Sequence, residues 1–315
     1  MLSLLIRRFL FGLATLWVVS ILVFAGTEIL PGDVATALLG QSATRESVSA
    51  LREQLGLNYP APIRYLSWLS RLVRGDFGKS LATGRSIAAL VGERLWNTLI
   101  LAILTTLFAV PLSVILGLLS ASYPDSLLDR TISVSSLMLI SVPEFFTAAV
   151  LVLAFAVTWR LFPAVIHVSQ FSSPGQMLHA LTLPILTLTA SMLAHMSRMT
   201  RAAILNVLRS AYVEMAILKG LTKERIIFRH ALPNALGPII NVIALNLGYL
   251  VSGVVVVETV FAYPGLGRMM VDSVTNRDVP MVQAVAMIFC ATYVGINLVA
   301  DLLVMATNPR LRSKK

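Results

Sequence analysis

Residues 95–121, LWNTLILAILTTLFAVPLSVILGLLSA, run for 27 positions without an acidic, basic or histidine side chain. An α-helix rises about 1.5 Å per residue, so about 20 apolar residues cross the roughly 30 Å of bilayer hydrocarbon. Five further stretches are long and apolar enough to do the same: 9–30, 131–157, 178–197, 239–263 and 282–307. Of the 315 residues, 57% are hydrophobic and 13% charged, with a mean hydropathy of +0.83. Soluble domains carry about 25% charged residues, roughly twice this share. The formal charge of +10 would by itself point to nucleic acid, but the charges are too few to build a basic face on a water-facing shell. These properties describe an all-α polytopic membrane protein with six transmembrane helices. Its surroundings are membrane lipid, and no nucleic-acid partner is expected.

Arg7 and Arg8 precede the first span, as in a secretory signal. The uncharged run over 9–27 exceeds the usual core of about 7–15 residues, so it reads as a retained helix. Six spans place both termini on one side. If that side is the cytoplasm, segments 1–8, 122–130, 198–238 and 308–315 hold 14 Lys and Arg in 66 residues. The opposite segments 31–94, 158–177 and 264–281 hold 11 in 102 residues, eight of them in the loop 31–94. A loop of more than about 60 residues escapes the positive-inside rule, so cytoplasmic termini are expected. Cys290 is the single cysteine and cannot form an internal disulfide.

Two loops are long enough to carry function. In 31–94, residues 44–55 read as a short helix with Thr44 as N-cap and Gly56 after its end; Pro60 and Pro62 interrupt it. An amphipathic pattern with Tyr65, Trp68 and Leu69 resumes over 63–73, as expected of a segment that caps the outer face or lies along it. Gly75-Asp-Phe-Gly-Lys-Ser80 brushes against a phosphate-binding loop, but Val73 stands where the first glycine of that motif is required. ATP binding by this chain is not expected.

The loop 198–238 reads as two short helices bent at Gly220, a suitable residue for positive φ after a helix end. Thr222 is a plausible N-cap for the second, with Glu224 in its first turn and Ile226, Ile227, Ala231 and Leu232 at helical spacing. Such an elbow suits either a bed of lipid headgroups or a docking surface for a soluble partner. Ala216 and Gly220 lie four apart on one face, where small side chains permit close approach.

Glu214-Met215-Ala216, three residues, Gly220, nine residues, then His230-Ala231-Leu232-Pro233 resembles the EAA loop of ABC importer permeases. Met215 and His230 depart from that pattern, while Arg229-His-Ala-Leu232 resembles the dipeptide/oligopeptide branch. Seven further pieces are similar to that branch: Leu30-Pro-Gly-Asp33, Gly75-Asp-Phe-Gly78, Trp96-Asn-Thr98, Glu258-Thr-Val-Phe261, Pro264-Gly-Leu-Gly-Arg268, Arg277-Asp-Val-Pro280 and Asn308-Pro-Arg310. The resemblance implies a type I importer permease of the first-permease kind, with a large external loop after its first helix. Residues 1–94 would be the first helix plus external region, and 95–315 a five-helix permease core with the coupling loop 198–238. Glu214, Met215, Ala216, Lys219, Gly220 and Leu221 would form the segment that enters a cleft on an ATPase. The implied partners are a second homologous permease, two cytoplasmic ATPase subunits holding ATP and Mg, and an external substrate-binding protein. No cofactor is expected on this chain. The setting is a bacterial or archaeal cytoplasmic (inner) membrane, and the cargo peptides or similar small solutes.

Ionisable side chains at membrane depth face a protein interior or a wet path. Glu144, after Pro143 near the middle of the third span, is the leading candidate for the translocation path; Asn241 and Asn246 are weaker ones. Glu258 and Asp301 lie near span ends, where hydration or an arginine can relieve them, and His195 near a span end reads as packing. Gly117 with Ala121, and Gly248 with Ser252, suit close helix crossings within the chain or with a second permease. His167, His179, His195 and His230 are dispersed, so no metal site is expected. No His-Glu-x-x-His or Gly-x-Ser-x-Gly pattern supports an enzyme. The competing reading is a stand-alone secondary transporter with Glu144 as its proton-coupling carboxylate.

Overall fold

The computed structural model describes residues 2–29, 36, 43–54, 56–168 and 173–307; Leu30-Pro-Gly-Asp33 and Asn308-Pro-Arg310 lie outside them. Among the described residues the regular elements are helical, with one isolated bridge between Lys79 and Ser86. In order they are α1 (Leu2–Ile29), α2 (Arg45–Gln54), α3 (Ala61–Val73), α4 (Ile87–Ser122), α5 (Leu127–Ser141), α6 (Glu144–Thr158), α7 (Pro174–Leu208), α8 (Ala211–Leu218), α9 (Lys223–Val260), α10 (Leu266–Thr275) and α11 (Val279–Thr307). Among the described residues five helices (α1, α4, α7, α9 and α11) are long and apolar enough to cross a membrane, and six crossings result if the pair α5–α6, bent by 100°, is counted as one broken span.

That break corrects the expectation of a continuous third span, and Glu144 stands at the break, midway along the pair. Val142 is extended (φ −97°, ψ 124°), Pro143 follows it, and α6 restarts at Glu144. The proline ring disfavours the helical region for the residue before it. Pro111 and Pro184 remain inside unbroken helices, so the bend belongs to this site and not to proline in general.

The loop expected at 198–238 is also much shorter than expected. Helix α7 continues to Leu208 and α9 begins at Lys223, leaving α8 and its two turns between them. Ile204, Ala235 and Ile239 are buried with Ala121, so apolar packing carries both helices beyond the stretches that hydropathy marks. The segment after Thr222 is therefore the start of α9, not a separate helix, and a π turn at Ile226–Ala231 leads into Pro233.

The chain forms two compact units. The body of the first is Leu99–Tyr263, with Leu101, Leu181, Leu183, Leu188, Val254, Val257 and Phe261 at its core. Gly117 brings α4 against α7: a Cβ there would fall 2.7 Å from Thr200 Cβ and 2.8 Å from the Ser197 carbonyl oxygen. Gly117 thus serves a crossing inside the chain, with Ala121 buried below it. Glu258, for which the sequence suggested hydration or a pairing arginine, is fully enclosed at 0% exposure; the turn after α9 folds back over it, and the Tyr263 N–H donates to the Glu258 carbonyl at 2.9 Å.

The second unit joins Arg7–Thr98 to Pro264–Val294 around Ile87, Val91, Leu266, Met269, Met281 and Val285. Thr44 is the expected N-cap of α2: its hydroxyl accepts from Ser47 N at 3.1 Å, and the Ser47 hydroxyl accepts from Thr44 N at 2.9 Å. Several pieces singled out in the sequence meet here. Asn97 Nδ2 donates to the Pro264 carbonyl at 2.8 Å, and Leu266 N donates to the Thr98 hydroxyl at 2.8 Å. Ser80 of the Gly-Lys-Ser triplet donates to Asp278 Oδ2 at 2.5 Å, and Leu81 N donates to Oδ1 at 3.1 Å. The hydroxyl that resembled a phosphate ligand anchors a turn on a buried aspartate.

Replacing Gly117 with Val should therefore separate α4 from α7 or strain both. Overpacking of this kind typically costs about 1–3 kcal/mol. The expected outcome is a lower melting temperature of the detergent-solubilised protein, whereas an equivalent change at Gly92, which has open space around it, should leave it nearly unchanged.

Candidate functional site

Helix α8 has one face turned into the chain and one left outside it. Val213, Ala216 and Ile226 are buried together, with Leu208 and Leu221 packed against them. Tyr212, Met215, Ile217 and Leu218 are exposed, Leu218 to 75%. Four large apolar side chains on an eight-residue helix form the kind of patch that marks an interaction surface. Glu214 and Lys219 are exposed beside them. The close approach permitted by Ala216 is made by the chain's own Ile226 and Val213, not left free for another surface.

The end of α8 is held by backbone geometry. Gly220 has φ +75°, its N–H donates to the Ile217 carbonyl at 2.8 Å, and Leu221 N donates to the Ala216 carbonyl at 3.3 Å. This pair of bonds is a Schellman closure, and it requires the left-handed conformation that glycine adopts without a Cβ penalty. At the start, Val213 N and Glu214 N donate to the Ser210 carbonyl at 3.0 and 3.1 Å. The helix thus stands on a short turn at each side rather than in a long flexible loop.

The helices before and after α8 share a cluster that the sequence did not reveal. Asp129, 3% exposed, takes two bonds from Arg201: Nε to Oδ1 at 2.7 Å and Nη2 to Oδ2 at 2.6 Å. The Ser120 hydroxyl also donates to Oδ1, and Asp125 N to Oδ2 at 3.0 Å. The carboxylate therefore ties α4, α5 and α7 together at one end, and its geometry with arginine is bidentate, the strongest form of this pairing. Lys223 Nζ sits 4.4 Å from the centre of the Tyr123 ring, linking the start of α9 to the same turn. Ser126 caps α5 by accepting from Asp129 N at 3.2 Å, and a Ser-x-x-Asp reading could have found that cap. Nothing in sequence spacing points to Arg201, 72 residues away.

The bent span forms a second locus. The Glu144 carboxylate lies on Gly253 of α9, where a Cβ would meet Oε1 at 2.8 Å and Oε2 at 3.0 Å, and it faces Ser191 of α7. Asn246 is seven residues before Gly253 and so on the same face of α9, about 10 Å along at roughly 1.5 Å per residue. It is 2% exposed, and its Nδ2 donates to the Val242 carbonyl at 2.8 Å. Asn241 is exposed and, five residues from Asn246, points elsewhere. His195 lies well inside α7 rather than near its end, stacked on Tyr249 with centroids 6.5 Å apart. Among the described residues, no three His, Cys, Asp or Glu side chains are grouped to hold a metal.

The family described as the binding-protein-dependent transport system inner membrane component matches residues 109–313, and its N-terminal counterpart matches residues 1–114. The chain belongs to this family. It is 36% identical to a probable peptide ABC transporter permease protein, y4tP, of Sinorhizobium fredii, over 98% of each chain. It is 37% identical to the glutathione transport system permease protein GsiC of Escherichia coli K12, over the full length of both. Two inward-facing structures of the MetNI methionine ABC transporter share its fold. Their TM-scores are 0.55 and 0.58 at 20% and 19% identity, covering 70% of this chain and 96% of theirs. The chain is a transmembrane permease subunit of an ABC importer with the type I fold, and the stand-alone transporter reading falls away.

Asp129→Asn should weaken the three-helix tie and leave the half-buried Arg201 facing a neutral amide. Arg201 keeps part of its hydration, so the cost is smaller than for a fully enclosed pair, and a measurable drop in thermal stability and in ATP-driven uptake is expected. Asp129→Leu combined with Arg201→Met should recover more of the stability than either single change, measured by thermal unfolding in detergent.

Proposed function

We propose that α8 is the coupling helix of this permease and seats on a cytoplasmic ATPase subunit. The observation that carries this reading is the exposed apolar face of α8, held on a stiff footing by the Gly220 closure and the buried Val213–Ala216–Ile226 contact. Coupling needs a contact that transmits movement, and a packed helix does this better than a flexible segment. In this reading Met215 and Lys219 face the ATPase with Glu214, Ala216 and Leu221 set the seat of the helix, and Gly220 closes it. Both termini and α8 lie on the cytoplasmic side, where the basic residues are concentrated.

The complete importer has a second homologous permease, two ATPase subunits that hold ATP and Mg, and an external binding protein. This chain supplies no catalytic group; hydrolysis takes place on the ATPases. Residues 95–315 form the core that pairs with the second permease, and 1–94 supply the first helix and the external region. The cargo is short peptides, including glutathione, which is itself a tripeptide; full-length similarity to permeases for both supports this. Glu144, at the bend and against the face of α9 that carries Asn246 about 10 Å further along, lines the path, where a carboxylate can attract a peptide's ammonium group. Asn241 stands lower on the same helix, on another face.

Gly220→Trp, which strains the positive φ and crowds the seat, should abolish ATP-driven uptake with membrane insertion intact, while Gly220→Asn should retain most of it. Unchanged uptake by the Trp variant would remove α8 from this role. Glu144→Gln should raise the KM for peptide uptake several-fold with the basal ATPase rate of the assembled importer unchanged. An unaltered KM would take Glu144 out of the path. Mass spectrometry of the ligand carried by the cognate binding protein identifies the cargo directly.

A further inference from the structure

Helix α3 meets α1 inside the second unit, and those contacts set its height along a membrane-spanning helix. The Tyr65 hydroxyl lies 2.9 Å from that of Ser20, and the Phe24 ring is 5.5 Å from Tyr65 and 5.9 Å from Trp68, centre to centre. Ser20 and Phe24 stand nine and five residues before the end of α1 at Ile29. At about 1.5 Å per residue these contacts lie roughly 14 and 8 Å below that end. Arg64 reaches back to Glu28, at 2.5 Å, carrying its charge toward the end of α1 as long cations do near an interface. Helix α3 therefore lies beside the last turns of α1, not in the water beyond them.

Its own pattern matches that position. At about 100° per residue, Trp68, Leu72, Tyr65, Leu69, Val73 and Leu66 fall on one continuous arc. Ser70, Arg74, Ser67, Arg71 and Arg64 occupy the other, with Ile63 the single apolar residue among them. Helix α1 covers only part of the apolar arc: Tyr65 and Trp68 are half-buried against it. Leu66 remains 63% exposed and Val73 80% exposed, at the uncovered edge. Over the same height α1 exposes Trp17, Val18, Ile21 and Leu22. A soluble protein approaching from the aqueous side would meet the serines and arginines, not this edge.

We propose that α3 is an interfacial lipid-binding helix. Leu66 and Val73 enter the acyl chains of the leaflet at the Ile29 end of α1, and Arg71 and Arg74 lie at phosphate headgroups. The occupant of the exposed edge is phospholipid, as for amphipathic helices that lie in the membrane plane. The assignment depends on the depth of α1 alone and holds whichever side of the membrane that end faces.

The test uses the assembled importer in phosphatidylcholine–phosphatidylglycerol liposomes, with Cys290→Ser as background and no binding protein. Single cysteines at Leu66, Ser67, Arg71 and Val73 carry a nitroxide spin label. Its collisions with oxygen, which concentrates in lipid, are compared with those with a water-soluble nickel chelate. The oxygen-to-nickel ratio should be several-fold higher at 66 and 73 than at 67 and 71. Nickel-dominated collisions at 66 and 73 would place the edge in water, and exclusion of both reagents there would place it against the second permease. Either result overturns the proposal. Two apolar positions on different turns keep it decidable if one label disturbs the helix.

Discussion

Asp129 holds together one end of the first unit. Its carboxylate receives the Arg201 guanidinium, the Ser120 hydroxyl and the Asp125 amide, so both oxygens are satisfied and the charge is matched. A buried carboxylate lacking such partners would be strongly unfavourable, and a fully partnered one fixes the relative placement of the helices that supply them. Three helices and the turn at Tyr123 are positioned this way, and Lys223 reaches the same turn from the start of α9. Helices α7 and α9 are the two that flank α8. In the proposed coupling role, the exposed face of α8 needs both flanks held, and this cluster touches α7 through Arg201 and the start of α9 through Lys223.

The bent span shows the same dependence on packing at membrane depth. A 100° break frees backbone groups, and in hydrocarbon such groups must be satisfied within the protein. Helix α6 restarts with Glu144 against Gly253 and Ser191, so the break leans on α7 and α9 on one side, while Ser141 and Pro143 are exposed on the other. Gly253 has to be glycine-sized for that carboxylate to lie where it does, as Gly117 has to be for α4 to touch Thr200. In lipid, helix association draws on close contact rather than on the hydrophobic effect, so these small residues carry much of the specificity.

Much of the architecture was legible because lipid imposes a simple rule on sequence. Five of the six apolar stretches are long helices, Thr44 caps α2, and Gly220 takes the positive φ its position implied. The EAA-like pattern around Glu214 to Pro233 carries the family resemblance within the sequence itself. Helix ends were read less well: α7 outran its stretch by eleven residues and α9 began sixteen before its own. Hydropathy marks where lipid begins and ends, whereas these helices continue for as long as Ile204, Ala235 and Ile239 find apolar neighbours.

By itself, the sequence determined that the chain lives in a bilayer, roughly where it crosses, and to which transport family it belongs. The first two follow from local composition and spacing, and the third from motifs that resemble those of a known family. Tertiary structure alone decided that Asp129 pairs with Arg201, that Ser80 serves Asp278 rather than a phosphate, that Pro143 breaks its helix while Pro184 does not, and that Ala216 faces inward. Each of these depends on residues brought together from tens to nearly two hundred positions apart, or on a balance between backbone preference and packing that no single stretch contains.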